Sequence, residues 1–228
     1  MIGASLADRA FRLIEAQIVT LVLPPGSATT EQRLCQALTL GRTPVREALL
    51  RLTQGFLVEI RPRQGVRIRP IEPGLILQTL EIRRTVERLV VSRAATLADD
   101  AERLALPALV PAFEDALRRH DPGAFAAADA ALNALLNQAA RHEVAARIVE
   151  PLHCVSRRAG YVHACRCASG MTRTGPAHIA MAEAVAAGDA GRATVLLGEL
   201  LDLSAEIAGH LDESAAGPLP LGQPGAAA

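Results

Sequence analysis

From residue 76 to about residue 212 apolar residues return three or four positions apart, and no stretch between alternates as a strand would. This pattern constrains the fold more than any other feature, because amphipathic segments separated by short polar breaks can bury their stripes only against one another. The segments fall at residues 76–97, 99–119, 122–140, 143–169, 175–187 and 189–212, with Pro107 and Pro111 expected to bend or split the second. Six antiparallel helices joined by short connections make a bundle whose interior can enclose a ligand. Composition points the same way: aromatics are 2% of the 228 residues, Trp is absent, and Ala and Leu fill the apolar positions.

The first seventy residues are built differently. Phe11, Ile14, Ile18 and Leu21 predict a helix over 5–22, stopped by Pro24, Pro25 and Gly26. Thr29 or Thr30 then caps a short helix ending at Leu38. In "GRTPVREALLRL", Gly41 to Leu52, Thr43 reads as the N-cap of a third helix and Pro44 as its first residue, where the missing N–H is harmless. Val45, Ala48, Leu49 and Leu52 then fall on one inward face. After Gly55, the runs Phe56–Ile60 and Val66–Arg69 alternate as strands around a turn containing Pro62 and Gly65. The fold class is therefore mainly α. A three-helix unit with a β-hairpin wing, a winged helix-turn-helix, spans 1–70; a linker spans 71–75; an antiparallel six-helix bundle spans 76–212; and a tail expected to be disordered spans 213–228.

Formal net charge is zero, but the zero hides an asymmetry. Residues 1–70 carry ten arginines against five acids, net +5, and the rest carries fourteen against nineteen, net −5. Only the first part is built to face a polyanion. Arg42 and Arg46 sit on the outward side of the third helix at its N-terminus, a placement that suits insertion in the major groove, where Arg bonds guanine O6 and N7. Thr30, Thr43 and open first-turn N–H groups suit phosphate contacts. The wing adds Arg61 and Arg63, with Gly65 allowing its tip to approach the backbone or minor groove.

The stretch "LPPGSATTEQRLCQALTLGRTPVREALLRLTQGFLVEIRPRQGVRIRP" closely resembles the winged helix-turn-helix of the GntR superfamily of bacterial transcription factors, with "RTPVREAL", "LVEIRPRQG" and "LPPG" as its most specific pieces. Three positions depart from that pattern: Thr39 stands where the family has a turn glycine, Gly41 where it has serine, and Phe56 where it has a glycine that appears here one residue earlier, as Gly55. "LQTLEIRRTVERLVVSRAA", "DPGAFAAADAALNALLNQAA", "IVEPL" and "HIAMAEAVAAGDAGRATVLL" resemble the all-helical FCD ligand-binding domain of the FadR branch. The resemblance implies a homodimer, double-stranded operator DNA as partner, and a small carboxylate effector in the bundle.

In that branch many members hold a divalent metal through an Asp, a His one turn later and two further His. Here Asp129 and His178 match, but Asn133 and Leu200 stand at the other two positions. A weakly bound hard cation on Asp129 and His178 is one reading. A hydrogen-bonded pocket of Asp129, Asn133 and His178, with Arg83 as one of several arginines (Arg84, Arg157, Arg158) available to a carboxylate, is the preferred one. His163 and Cys167, spaced i, i+4 in "HACRC", lack the further converging ligands of a metal site.

The expected function is a ligand-responsive DNA-binding transcription regulator, a repressor released by a small organic-acid metabolite. The alternatives are a constitutive DNA-binding dimer with a degenerate pocket and, less favoured, a metal-dependent enzyme. No enzyme activity is expected, since no Ser-His-Asp order or phosphate loop is present. Four scattered cysteines suit a reducing compartment, and Asp8, Arg9, Arg12 and Glu15 stand where a signal peptide needs an apolar run, so the expected location is cytoplasmic, away from membranes.

Overall fold

The computed structural model describes residues 5–167 and 169–211. The tail expected over 213–228 lies outside them. Among the described residues the chain forms ten α-helices, one 3-10 turn and three short strands.

Helix α1 (Leu6–Val19) opens on a capping box in which the Ser5 hydroxyl accepts from the Asp8 N–H and the Asp8 carboxylate accepts from the Ser5 N–H. It is shorter than the 5–22 expected: the chain leaves the helix at Thr20, and Leu21 takes a φ of 62°. Thr30, not Thr29, caps α2 (Glu31–Leu38), its hydroxyl accepting from the Arg33 N–H at 3.1 Å. Helix α3 (Arg42–Gln54) starts before the expected cap. Gly41 is the N-cap and offers no side chain, so Thr43 lies inside the first turn and Pro44 at its third position, still among the residues whose N–H has no intrahelical partner. Val45, Ala48, Leu49 and Leu52 are buried as the spacing predicts, against Phe11, Ile14 and Ile18 of α1.

The wing is a sheet of three strands rather than a hairpin alone. Strands β2 (Val58–Arg61) and β3 (Gly65–Ile68) pair antiparallel, and β1 (Ala28–Thr29) joins the other edge of β3, in the order β1-β3-β2. Two residues carry no periodicity, which is why β1 is silent in the sequence.

Helix α4 (Pro73–Leu97) begins with proline at its first turn, so the connection is tighter than the 71–75 linker expected. The 99–119 segment divides into α5 (Asp100–Ala105), a 3-10 turn at Pro107–Leu109 and α6 (Val110–Arg119), since Pro107 and Pro111 each withhold an N–H. Then follow α7 (Pro122–Ala139), α8 (Glu143–Arg166), α9 (Ser169–Ala186) and α10 (Ala190–Gly209). Helix α9 starts six residues before the expected 175. Gly175 and Pro176 look like breakers but lie inside it, and Gly175 lets the helix approach Leu117 of α6, where a Cβ would fall 2.8 Å from that side chain. Phe113, Leu106, Leu132 and Leu201 are fully buried in the bundle core.

Candidate functional site

The N-terminus of α3 is open to solvent. Arg42 and Thr43 are exposed, and with glycine as cap the first-turn N–H groups have no side-chain acceptor. Arg46 is exposed but engaged: its Nε and Nη2 donate to the two carboxylate oxygens of Glu31 on α2, at 3.2 and 3.0 Å. That fork raises the Arg46 pKa through hydrogen bonding and charge. Arg61 is held by Glu59, its Nε and Nη2 both donating to one carboxylate oxygen at 3.1 and 2.8 Å, while Arg63 occupies the wing turn at a φ of 62°. Gly65 has a role the sequence reading did not assign. At a φ of 91° its backbone lies so near β1 that a Cβ would sit 2.5 Å from the Thr29 carbonyl oxygen, so glycine is demanded by strand pairing itself. Thr30 is spent on capping α2. Arg69 turns away from the wing, pairing with Glu72 at 3.1 Å.

The second site lies within the bundle. A cavity with about 70 Å³ open to the centre of a water molecule is bordered by Arg83 of α4, Phe125 and Asp129 of α7, Arg157 of α8 and His178 of α9. Space on that scale admits several waters or a small organic acid. Asp129 accepts three hydrogen bonds: from Asn133 Nδ2 at 2.9 Å, from Arg157 Nε at 2.6 Å, and at 3.2 Å from His178 Nε2. Burial would raise its pKa, but Arg157 and His178 outweigh that and hold it well below the usual carboxylate range. His178 is clamped between Phe113, stacked at 5.4 Å, and Phe125, edge-on at 5.4 Å, with Nδ1 2.8 Å from the Thr174 carbonyl oxygen.

Arg83 is buried and donates to Glu87 through Nε at 2.5 Å and Nη2 at 3.1 Å, while His153 Nε2 lies 2.7 Å from the same carboxylate. Burial would raise the Glu87 pKa; Arg83 and His153 lower it to about 2. Arg84, one residue on, points outward to Asp202. Arg157 faces the cavity, whereas Arg158 donates to the carbonyl oxygens of Arg69 and Pro70 at 2.8 and 3.0 Å, fastening the linker. The sequence reading missed Glu15, Glu87, His153 and Ser156. The i, i+4 spacing of Arg83 and Glu87 was a signal for one of them; the others carry none.

A divalent cation does not fit here. Asn133 presents its amide N–H₂ to Asp129, Leu200 offers no donor, and the Arg157 guanidinium already occupies the second oxygen of Asp129. Among the described residues no three His, Cys, Asp or Glu side chains converge as a metal site.

Cavity and N-terminal unit share α8. Its Glu150 pairs with Arg51 of α3 at 3.0 Å, and the Pro151 carbonyl oxygen lies against Gly55 so closely that a Cβ there would be 2.8 Å away. Arg157 reaches from Asp129 to Glu15 of α1.

The comparisons with known proteins agree. The pattern of bacterial regulatory proteins of the gntR family matches residues 6–68, and that of the FCD domain residues 78–203. The chain is 33% identical over 130 residues to an HTH-type transcriptional regulator of the TAR-I ttuE-ttuC' intergenic region of Agrobacterium vitis, covering 56% of this chain and 76% of that one. It is 26% identical over 152 residues to the HTH-type transcriptional repressor RspR of Escherichia coli K12, covering 67% of each. Among solved structures, E. coli McbR/YncC superposes with a TM-score of 0.76 at 18% identity, over 90% of this chain and 97% of that chain. A GntR regulator from Rhodococcus sp. RHA1 gives 0.66 at 24%, over 90% and 99%. No helix among the described residues is long and apolar enough to cross a membrane. With a DNA-binding unit and a ligand-binding bundle both matched in order, the chain belongs to the GntR family of DNA-binding transcription regulators, in the branch that carries an FCD domain.

Proposed function

We propose that this chain is a homodimeric repressor that holds a short two-fold-symmetric operator and leaves it when a small organic acid occupies the bundle cavity. Helix α3 reads the major groove through Arg42 and Arg46, and Arg63 at the wing tip contacts the backbone. Exposed Ile82 and Leu89 on α4, with Val195 on the adjoining α10, offer the second copy an apolar face.

The observation that carries the effector reading is a set of donors left over in the cavity. Arg83 spends Nε and Nη2 on Glu87, and Arg157 spends Nε and Nη1 on Asp129 and Glu15; Nη1 of Arg83 and Nη2 of Arg157 have no hydrogen-bond partner among the described residues. The buried Ser156 hydroxyl, on the same wall, has none either. Two guanidinium edges and a hydroxyl suit one carboxylate.

The test starts from a duplex that the full-length protein selects out of a random library. Its affinity is then titrated with acetate, succinate and benzoate. Weakening by about 5- to 150-fold with one of them supports the reading. Affinity indifferent to all three, with no thermal shift, makes the protein a constitutive binder.

A further inference from the structure

Arg157 is the one guanidinium described that touches both the cavity and the DNA-facing unit. Its Nε bonds Asp129 on α7, and its Nη1 bonds Glu15 on α1. Its side chain is buried, as is that of Glu15, so neither charge has ready access to solvent as a substitute partner. The two carboxylates are held unequally. Asp129 has further donors in Asn133 and His178, whereas among the described residues Glu15 has, beside Arg157, only the Cys154 thiol. A competitor for Arg157 therefore displaces Glu15 first.

We infer that Arg157 supplies the positive charge of the cavity in place of a metal, and that a carboxylate bound there competes with Glu15 for its guanidinium, so that occupancy is transmitted as loss of the α1–α8 ion pair. The inference rests on the carboxylate reading of the cavity and adds to it the residue that receives the anion and the bond that breaks. Charge balance favours the exchange. Arg83 and Arg157, with His153 beside Glu87 and His178 beside Asp129, already face Glu87, Asp129 and Glu15, so a further carboxylate on Arg157 is accommodated most readily when Glu15, which has no histidine beside it, leaves. Glu15 is the one on a separate unit, in the C-terminal half of α1. Losing the bond frees α1, which packs on α3, and thereby shifts the recognition helix relative to the bundle.

The experiment follows amide hydrogen exchange in the full-length protein, wild type and Glu15→Gln, without ligand and with acetate, succinate or benzoate at saturation by thermal shift. In wild type the binding carboxylate is expected to speed exchange of the amides of α1 by about tenfold. Glu15→Gln is expected to exchange at the fast rate without ligand, to bind the carboxylate several-fold more tightly because its competitor is gone, and to show no further change in α1. Arg157→Lys, a single ammonium in place of the planar fork, should behave like Glu15→Gln in α1 while binding the carboxylate less well. Circular dichroism and melting confirm that each variant is folded; if Glu15→Gln is not, Glu15→Asp, which withdraws the carboxylate by one methylene, takes its place. A carboxylate that binds wild type and leaves α1 exchange unaltered overturns the ion-pair mechanism while the effector reading stands. If none of the three binds either wild type or Glu15→Gln, the effector reading falls and takes this inference with it.

Discussion

Arg46 and Glu31 meet across the turn between α2 and α3, and their bidentate contact means that an arginine suited to reading guanine is occupied before DNA arrives. Binding must exchange one partner for another, so Glu31 is expected to act as a brake. Glu31→Gln should tighten binding to a selected duplex about two- to fivefold at moderate salt, with the sequence preference kept, whereas Arg46→Ala should erase the preference. Weaker binding by Glu31→Gln would instead mark Glu31 as the residue that aims Arg46. A different strain sits at Thr39, which ends α2 in the left-handed region at a φ of 54°. A residue with a Cβ there is disfavoured by about 1 kcal/mol, so Thr39→Gly should raise the melting temperature by roughly 2 to 4 °C in a calorimetric scan. Arg46 and Thr39 were legible in the sequence, but Glu31, the partner of Arg46, was not. The displaced glycine of "QGF" shows why: Phe56 takes the left-handed backbone, at a φ of 56°, while glycine is needed one residue earlier for a contact with α8 that lies far along the chain.

Helix α8 carries most of the traffic between the two halves of the chain. One side presents Glu150, the Pro151 carbonyl oxygen and Arg158 to α3 and the linker, and the other lines the cavity with His153 and Ser156, Arg157 serving both. Apolar periodicity located this helix to within a few residues, as it did α4, α7 and α10. It could not rank neighbouring Arg157 and Arg158, because on a helix buried on several sides no polar face marks the outside. The breaks at Pro107 and Pro111 were legible for the opposite reason, since proline acts locally. The α3–α8 contact can be tested where it is tightest. Gly55 has an ordinary φ of −82°, so Gly55→Ala imposes no backbone strain, only a methyl 2.8 Å from the Pro151 carbonyl oxygen. The variant is expected to lose about 1 to 3 kcal/mol in urea unfolding and to expose α3 and the middle of α8 to faster hydrogen exchange. Wild-type stability and exchange in Gly55→Ala would show that the interface yields without penalty.

For the molecule as a whole, the fold was legible because hydrophobic stripes and caps are written locally, while the electrostatic core was not. Glu15 and Arg157 lie 142 positions apart, and Glu87 and His153 lie 66 apart; no spacing rule connects them. That core makes stability depend on pH in a definite direction. The Glu87 carboxyl is held at about 2 in the folded protein against an ordinary 4.5, because Arg83 and His153 overcome the effect of burial. The unfolded chain therefore binds its proton first as pH falls. The stabilisation from Glu87 is complete above about pH 4.5, declines below it, and is gone once pH passes below the folded value. Its size is on the order of 3 kcal/mol. Urea unfolding of wild type at pH 7, 4.5 and 3 should give nearly equal free energies for the first two and a clear drop at the third. Glu87→Gln should be less stable than wild type at pH 7, since Arg83 loses a buried counter-charge. Its own decline between pH 4.5 and 3 should be shallower, leaving the part due to Asp129 and other paired carboxylates. Equal declines in the two proteins would mean that the Glu87 pKa does not change on folding, and that its contacts with Arg83 and His153 leave no net pH-dependent stabilisation.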